Sequence, residues 1–514
     1  MNVATKSTSQ QTQTAGHFDV LVVGAGISGI DAAHYLQEEC PEKTFALLET
    51  QESFGGTWLT HKYPGIRSDS DLFTFGYKWK PWIGAPIASA EEILKYLNEV
   101  LDEEDIRRHI RYQHEVKSAS WSSEEGQWRV IVERIDSGEL LEFTTNFLWM
   151  CQGYYKHSEG YTPEWPGMDN FKGPIVHPQT WPEDLDYKDK HVLVIGSGAT
   201  AATIIPAMAA DCKHISMLQR SPTYFVPAPN RNDVADMLRE LDIPDEWTHE
   251  IVRRKILHDQ QEITRRSFEE PEELKKELLD AAKMFLPEED VEKHFTPHYR
   301  PWRQRLAFIP DGDLFQGIAA GKASVYTDHI DTFTEKGVLL KSGEEIEADI
   351  IVTATGFDLL VLGGIEFSVD GKPVDPADTV TYRGMMFTGV PNLAWVFGYF
   401  RASWTLRADL IAEFLCRMFN HMKELGTTVA TPTLRAEDAD MPHLPWIDAE
   451  NFNPGYLMRS MHMMPKQGDR SPWIFTQDYW LEKDEFPVAD LDDGALVYST
   501  VTTASVDASQ SSAG

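Results

Sequence analysis

The feature that most constrains the fold of this chain is a glycine-rich turn that occurs twice. The first copy follows an apolar run at 18–23 and reads Gly24-Ala25-Gly26-Ile27-Ser28-Gly29; a second apolar run at 44–48 then ends at Glu49. This order predicts strand, tight turn, helix, strand and acid, which is typical of a dinucleotide-binding unit. In such a unit the glycines permit the turn, the approach of a pyrophosphate to the helix amides and close helix–strand packing. Glu49 can then accept hydrogen bonds from ribose hydroxyls.

A second copy of this pattern lies further along the chain. An apolar run at 191–195 leads into Gly196-Ser197-Gly198-Ala199-Thr200-Ala201, and another apolar run follows at 214–218. The position that matches Glu49 falls in Gln219-Arg220-Ser221, so a guanidinium and a hydroxyl replace the carboxylate. A carboxylate would repel a 2′-phosphate, whereas Arg220 can bind one in a bidentate manner. The second unit is therefore predicted to prefer NADP(H).

Two dinucleotide units on one chain indicate electron transfer between two cofactors, and FAD with a nicotinamide is the common pairing. The predicted fold class is α/β, with two Rossmann-like domains that bind FAD and NADPH and a helical insertion in the second. An apolar run at 348–356 is expected to lead the chain back to the first domain. The predicted division is a disordered tail at 1–17, the FAD domain at 18–155 and 331–490, a linker at 156–190, the NADP domain at 191–330 with its insertion at 232–298, and a disordered tail at 499–514.

The charge of the chain argues against some other functions. Among 514 residues, 47 Lys and Arg stand against 81 Asp and Glu, and the resulting charge of −34 repels nucleic acid and anionic membrane surfaces. No apolar run is long enough for an integral membrane segment, and residues 1–17 contain no apolar signal segment. We therefore expect a cytoplasmic protein, for which peripheral contact with a membrane stays open.

Cysteine and metal chemistry are not expected either. The four cysteines form no C-x-x-C pair, which excludes the dithiol chemistry of disulfide reductases. The methionine-rich stretch 458–464 surrounds His462 but brings no further ligands nearby in sequence. No metal site is therefore predicted.

The segment before the second glycine turn carries a family resemblance. Residues 171–182 read Phe-Lys-Gly-Pro-Ile-Val-His-Pro-Gln-Thr-Trp-Pro. This resembles the F-x-G-x-x-x-H-x-x-x-W-(P/D) fingerprint of the type I Baeyer–Villiger monooxygenases, which are class B flavoprotein monooxygenases. The related N- and S-oxygenating enzymes usually lack the tryptophan. The resemblance implies that the fixed positions couple nicotinamide binding to domain arrangement; these are Phe171, Gly173, His177 and Trp181.

A second stretch is similar to the family motif that lies beside the flavin. Gly55-Gly56-Thr57-Trp58, Tyr63-Pro64-Gly65 and Asp69 match G-G-x-W-x-x-x-x-(Y/F)-P-G-x-x-x-D. The resemblance spans about residues 18–478 and looks most like the bacterial branch that includes the thioamide-prodrug activator of mycobacteria. The FAD contacts that it implies, besides the first glycine turn, are Ser28, Glu49, Gly56, Thr57, Trp58, Asp69 and Val116.

The resemblance also implies the catalytic groups. In Trp302-Arg303-Gln304-Arg305-Leu306, the catalytic arginine of the family corresponds to Arg305, and Asp69 corresponds to the carboxylate that orients it. A cation suits this position because it stabilises a developing oxyanion. Arg303 is the rival for the same role. Relatives often carry lysine where this chain has Gln304, so binding of the 2′-phosphate is expected to depend more on Arg220 and Ser221.

The implied activity is conversion of a neutral, largely apolar ketone to an ester or lactone with NADPH and O₂, through a C4a-peroxyflavin, with S-oxidation as a side activity. One alternative is an N- or S-oxygenating flavin monooxygenase of the same fold. Another is an uncoupled NADPH oxidase or flavin redox sensor, which would need neither Arg305 nor Asp69. Arg401 is charged where relatives tend to have a smaller polar residue, and we expect it to alter the substrate range if its loop lines the pocket.

Overall fold

The computed structural model of the protein describes residues 12–501. Its helices are α1 (Ile27–Glu39), α2 (Thr57–Thr60), α3 (Leu72–Phe75), α4 (Ala90–Glu103), α5 (Ala199–Met208), α6 (Asp233–Glu240), α7 (Asp245–Glu269), α8 (Pro271–Lys283), α9 (Glu288–His294), α10 (Asp313–Ala319), α11 (Trp404–Leu425), α12 (Gly455–Ser460) and α13 (Tyr479–Glu485). Its strands are β1 (Gln13–Val23), β2 (Phe45–Leu48), β3 (Ile110–Arg111), β4 (His114–Ser122), β5 (Gln127–Arg134), β6 (Leu140–Met150), β7 (Ile175–Val176), β8 (His191–Ile195), β9 (His214–Gln219), β10 (Phe225–Ala228), β11 (Ala307–Pro310), β12 (Ala323–Thr327), β13 (Ile330–Phe333), β14 (Gly337–Leu340), β15 (Glu345–Glu347), β16 (Ile350–Thr353), β17 (Glu366–Val369), β18 (Lys372–Pro373), β19 (Thr381–Tyr382), β20 (Met386–Phe387), β21 (Leu393–Trp395), β22 (Val429–Pro432), β23 (Leu444–Pro445), β24 (Lys466–Gln467) and β25 (Leu496–Ser499).

The first domain is built on a mixed sheet with the order β18-β17-β4-β5-β6-β1-β2-β3, to which β21 adds beside β6. Strands β6, β1, β2 and β3 run parallel, while β4, β5 and β6 form an antiparallel meander. Val20, Leu21 and Val22 of β1 are fully buried because the sheet is covered on both faces. Helix α1 packs against the long helix α11, which covers one of these faces.

The ends of the chain differ in part from the predicted tails. Strand β1 begins at Gln13, inside the predicted tail 1–17, because residues ahead of its apolar segment extend the pairing with β6. Strand β25 likewise reaches Ser499 by pairing with β22. The remainder of the predicted tails, 1–11 and 502–514, lies outside the described residues.

The second domain contains a parallel sheet with the order β12-β9-β8-β16-β7, and α5 follows β8. The predicted fold class, two Rossmann-like α/β domains, is confirmed.

The chain does not leave the second domain at residue 331, where the boundary is predicted. Strands β13 to β15 form a separate antiparallel sheet, and β16 then pairs with β8. A fully buried strand such as β16 suits the interior of a parallel sheet, so the chain rejoins the first sheet only at β17. The predicted linker 156–190 similarly supplies the edge strand β7.

Helices α6 to α9 form the stretch predicted as an insertion, and α7 packs against α3 of the first domain. Arg253 on α7 is 5% exposed. Its Nη1 donates to the carbonyl oxygens of Phe73, Thr74 and Gly76 at 3.0, 3.2 and 3.1 Å, and its Nη2 lies 3.4 Å from Asp409 Oδ2. A buried guanidinium thus joins the insertion to the first domain.

The contact between α7 and the first domain also contains a buried histidine, which makes the stability of the fold depend on pH. Burial lowers the pKa of His249 from 6.5 to about 4, and its Nδ1 accepts a hydrogen bond from the Trp82 amide at 3.1 Å. Between pH 4 and 6.5 the unfolded chain therefore binds more protons at this residue, and the stability of the fold declines as the pH falls through that range. From pH 7.5 to 5, we expect the free energy of unfolding to fall by about 2 kcal/mol more in the wild type than in His249→Gln. Denaturant unfolding at both pH values measures this difference, with His258→Gln, an exposed site on the same helix, as the control. An equal pH dependence in wild type and His249→Gln would contradict the assignment.

Candidate active site

A cleft of about 790 Å³ lies between the two domains and is lined by both glycine turns. The first turn contributes Gly24, Gly26 and Ser28, and the second contributes Gly198, Ala199 and Thr200. Parallel strands end at this cleft from both sheets, which is where α/β domains bind dinucleotides. The two predicted cofactor sites therefore open into one cavity.

The first turn is shaped by close backbone contacts. A Cβ at Gly29 would lie 1.9 Å from the Gly24 carbonyl oxygen, so only glycine allows α1 to approach its strand. At the N-terminus of α1, Gly26 provides no side-chain cap. The free amides of this first turn and the helix dipole face the cleft and suit a pyrophosphate.

Glu49 has a second role that the sequence did not indicate. It is 7% exposed, its Oε2 accepts a hydrogen bond from the Ala25 amide at 2.8 Å, and its Oε1 accepts one from the Gln51 amide at 2.8 Å. Burial raises the pKa of Glu49, although these backbone amides act in the opposite direction. The carboxylate thus braces the glycine turn, and it retains further acceptor sites toward the cleft, which it lines.

The other predicted FAD contacts lie around the same part of the cleft. Ser28 Oγ accepts a hydrogen bond from Trp404 Nε1 at 2.8 Å, and Thr57 Oγ1 shares one of 2.6 Å with the Tyr155 hydroxyl. The remaining predicted residues also line the cleft, namely Gly56, Trp58, Asp69 and Val116. The structure therefore brings together residues from the first turn, the tryptophan motif and β4.

The second turn has a comparable geometry. Gly196 has a φ of +137°, and a Cβ there would lie 2.2 Å from the Ala354 carbonyl oxygen. Ser197 Oγ shares a hydrogen bond of 3.0 Å with Thr223 Oγ1, and Ala201 is fully buried in the domain core. Gly198 precedes helix α5 and provides no side-chain cap, just as Gly26 provides none for α1. A second anion-binding helix terminus thus faces the cleft.

Arg220 and Ser221 are exposed at the end of β9, outside the lining of the cleft. Among the described residues, Arg220 has no carboxylate within ion-pair distance. Arg459 on α12 is close enough to Arg220 for the two guanidinium groups to repel each other. Burial is the main cause that lowers the pKa of Arg459, and this repulsion adds to it. The charge of Asp358 acts on Arg459 in the opposite direction, but no described carboxylate lies within ion-pair distance of either arginine. Two neighbouring cations of this kind suit a phosphate. The sequence did not indicate Arg459, because 239 positions separate it from Arg220.

The fingerprint segment lies at the connection between the domains. His177 Nδ1 accepts a hydrogen bond from the Gln179 amide at 3.2 Å, so Nε2 carries the proton of the neutral ring and donates to the Gly356 carbonyl oxygen at 3.2 Å. Burial lowers the pKa of His177 and favours this neutral form. Gly356 lies just after β16, where the chain leaves the second sheet. Phe171 is buried, a Cβ at Gly173 would lie 2.1 Å from the Asp349 carbonyl oxygen, and Trp181 packs on the core beside α5.

Arg305 and Asp69 form a bidentate pair inside the cleft. Arg305 Nε donates to Asp69 Oδ2 at 2.7 Å, and Arg305 Nη2 donates to Asp69 Oδ1 at 2.6 Å. Desolvation is the largest influence on Arg305 and opposes its charge, but Asp69 together with the neighbouring Tyr456 and Tyr154 outweighs it and raises the pKa of the guanidinium. The Arg305 side chain is 40% exposed, which leaves Nη1 toward the cavity. By contrast, Arg303 pairs with Glu450 at 3.2 Å and does not line the cleft.

Arg67 is a further residue of the cleft and occupies an unspecified position of the motif that ends at Asp69. Its Nη1 donates to Asp313 Oδ2 at 2.6 Å and its Nη2 to the Ala202 carbonyl oxygen at 3.3 Å. Arg67 belongs to the first domain, whereas Asp313 and Ala202 belong to α10 and α5 of the second. The motif that carries Asp69 thus also fixes the two domains to each other. The pairing could not be predicted because 246 positions separate Arg67 from Asp313.

The fold and the cleft define a class of protein, an oxidoreductase with two dinucleotide-binding domains that face one cavity. The two sites fit the dinucleotides predicted for them. Each glycine turn offers uncapped helix amides to a pyrophosphate. The buried Oε1 of Gln152, which lines the cleft, has no hydrogen-bond partner among the described residues. Within residues 12–501, no helix combines the length and the apolar character that crossing a membrane requires.

Comparison with known proteins then places the chain in a family. The model of the flavin-binding monooxygenase-like family matches residues 86–232, and that of the NAD(P)-binding Rossmann-like domain matches residues 22–81. The FAD-containing monooxygenase EthA of Mycobacterium tuberculosis is 47% identical, over 90% of this chain and 94% of EthA. MymA of the same species, which carries the name putative FAD-containing monooxygenase, is 44% identical over 94% of this chain and 98% of MymA.

The chain belongs to the FAD-containing monooxygenases. The predictions of an enzyme, of a flavin monooxygenase and of FAD as a cofactor are therefore confirmed. Among solved structures, an oxidised steroid monooxygenase bound to NADP has the same fold, with a TM-score of 0.74 at 22% identity over 94% of this chain and all of the other.

Proposed function

We propose that this protein is a Baeyer–Villiger monooxygenase that uses FAD and NADPH to convert an apolar ketone to an ester or lactone. The observation that supports this most is the Arg305–Asp69 pair in the cleft between the two glycine turns. The balanced reaction consumes the ketone, O₂, NADPH and a proton, and it yields the ester, NADP⁺ and water. One oxygen atom enters the organic product and the other leaves as water.

The residues that would hold the two cofactors follow from the geometry of the cleft. FAD would lie on the first turn and Glu49, against Ser28, Thr57, Trp58 and Val116. NADPH would lie on the second turn, with its 2′-phosphate at Arg220 and Ser221. When bound, the flavin supplies the redox chemistry with NADPH and O₂. His177, through its bond to Gly356, would transmit coenzyme binding to the crossover between the domains.

Arg305 would act on the reacting carbonyl. Its pKa is raised above the ordinary arginine value, so the guanidinium stays charged at neutral pH. A fixed cation in the cleft stabilises the negative charge that develops on the carbonyl oxygen of the ketone. Asp69 orients the guanidinium through two bonds, so little reorganisation is needed when that charge appears. Asp69 therefore acts as a positioning residue for Arg305.

The walls around Arg305 would exclude water and select an apolar substrate. We define the aromatic chamber as the part of the cleft lined by Phe397, Tyr399, Phe400, Trp404 and Tyr456. Burial raises the pKa of Tyr399 and Tyr456, so both keep their phenolic protons. An apolar ketone fits this lining, and an organic sulfide of similar size would fit it as a substrate for side oxidation.

The proposal is tested with purified FAD-loaded protein, NADPH and ¹⁸O₂ in the presence of a series of ketones and sulfides. We expect an ester that carries one labelled oxygen atom, with one NADPH consumed per ester. Products from sulfides or amines alone would support the alternative N- or S-oxygenating enzyme. NADPH oxidation that yields only hydrogen peroxide with every substrate would support an oxidase or redox sensor.

Arg220 gives a separate prediction for the coenzyme. In Arg220→Ala we expect the KM for NADPH to rise by about tenfold or more, while the KM for NADH changes little, because only NADPH carries the 2′-phosphate. Initial rates of flavin reduction with each coenzyme measure this. Arg231→Ala, an exposed arginine that pairs with Asp233, is the control. An equal rise for both coenzymes would contradict the assignment.

A further inference from the structure

Two arginines, Arg300 and Arg401, lie side by side next to the aromatic chamber but outside the lining of the cleft. Arg401 stands between Phe400 and Ala402, both of which line the cleft. Arg401 Nη2 donates to the carbonyl oxygen of Asn451 at 2.6 Å, and Arg300 Nη2 donates to the same oxygen at 3.0 Å. The two guanidinium groups therefore converge on one point.

Aromatic rings hold these guanidinium groups in place. The Phe268 ring centroid lies 4.0 Å from the Arg300 guanidinium carbon and 5.1 Å from that of Arg401. The Phe452 ring lies 5.5 Å from the Arg401 carbon and stacks on Phe400 at 4.8 Å. Cation–π contacts of this kind orient a guanidinium without neutralising it. Phe452 and Phe400 also make the surface continuous from the chamber to the arginines.

The charge of the pair is not compensated by the described residues. Neither Arg300 nor Arg401 has a described carboxylate within 4 Å, although the chain has 81 acidic residues. The charge of Asp478 acts on Arg401 from beyond ion-pair distance. Burial and the neighbouring Arg300 lower the pKa of Arg401 to about 10. Arg401 Nη1 makes no hydrogen bond to the described part of the chain. Two adjacent cations with a free donor suit a bidentate anion such as a carboxylate.

We infer that Arg300 and Arg401 bind the carboxylate of a substrate whose apolar body lies in the aromatic chamber. The substrate class is then a ketone with an apolar chain and a terminal carboxylate, rather than a wholly neutral ketone. The ketone half of this inference rests on the proposed function, while the carboxylate site rests on the two arginines. The same arginines could instead contact a phosphate of the coenzyme, and the test separates these two anions.

The first test measures binding without turnover. Calorimetric titration of the FAD-loaded protein uses octanoate and, for comparison, octan-1-ol. We expect octanoate to bind at least about tenfold more tightly than the alcohol, and Arg401→Ser and Arg300→Ala each to weaken octanoate binding about tenfold or more. Arg254→Ser, an exposed arginine on α7, serves as the matched control. Equal binding of acid and alcohol, or octanoate binding that survives both substitutions, would overturn the inference. A rise in the KM for NADPH in Arg401→Ser with octanoate binding intact would assign the arginines to the coenzyme and would also overturn it.

The second test measures specificity. An oxo-carboxylic acid and its methyl ester are compared as substrates, and Arg401→Ser is expected to raise the KM of the acid far more than that of the ester. Equal effects on acid and ester would contradict the carboxylate site. If neither compound is oxygenated by the wild type while simple ketones also fail, the proposed function is wrong. The octanoate titration still decides the anion site in that case.

Discussion

Replacing Arg305 with alanine is expected to lower the rate of ester formation by about 10²–10³-fold, a loss typical of removing a fixed group that stabilises an oxyanion. The variant should still bind FAD, because the substitution leaves the first glycine turn and Glu49 unchanged. Single-turnover product formation, measured by mass spectrometry after reduction with NADPH, reports the loss. Asp69 would then be left without its bidentate partner.

Two further variants separate charge from geometry. Arg305→Lys keeps the cation but loses the planar pairing with Asp69, so we expect activity between that of the wild type and Arg305→Ala. Arg303→Ala removes the rival arginine, which pairs with the exposed Glu450, and should leave product formation within a few-fold of the wild type. Ester formation at the wild-type rate in Arg305→Ala, with FAD bound and reduced, would refute the catalytic assignment.

Replacing Arg253 with methionine is expected to lower the free energy of unfolding by about 3–5 kcal/mol, because a buried charge would lose its partner. The substitution removes the donor to three carbonyl oxygens at the end of α3 and leaves Asp409 buried beside Asp31. Desolvation already raises the pKa of both carboxyl groups; Arg253 is the main opposing charge at Asp409, and Lys78 acts on both carboxyl groups. Denaturant unfolding followed by tryptophan fluorescence measures the change.

The control for this prediction is the next residue along the helix. Arg254 is 78% exposed and pairs only with Glu250 on its own helix, so Arg254→Met should change stability by less than about 1 kcal/mol. If the free energy of unfolding falls by the same amount in both methionine variants, the buried contacts of Arg253 with the first domain do not stabilise the protein.

The parts of the fold that could be predicted from sequence are those set by local patterns. The strand at 191–195 and the glycine turn after it follow from apolar runs and from positions that only glycine can occupy. The return point of the chain could not be predicted in this way. The buried strand β16 has the same apolar pattern whichever sheet it joins, and only its pairing with β8 decides.

In the candidate site, too, residues that belong to local motifs could be predicted, whereas contacts made by the tertiary fold could not. Asp69 and Arg305 follow from motifs, and the structure joins them although 236 positions separate them. The contacts of Arg67, Arg253 and Arg459 could not be predicted, because each depends on a partner brought near by the tertiary fold. The hydrogen bonds of Glu49 to backbone amides could not be predicted either, because every residue other than proline has such an amide whatever its side chain.

The buried contact of Arg253 also bears on how the chain folds during synthesis. Asp409 is made 156 residues after Arg253. At about 5–20 residues per second, the ribosome needs on the order of 10 s to supply that partner. Arg253 can reach the carbonyl oxygens at the end of α3, which are synthesised earlier, but it cannot reach the Asp409 carboxylate until α11 has been made. The contact between α7 and the first domain is therefore completed late, after the second domain has been synthesised.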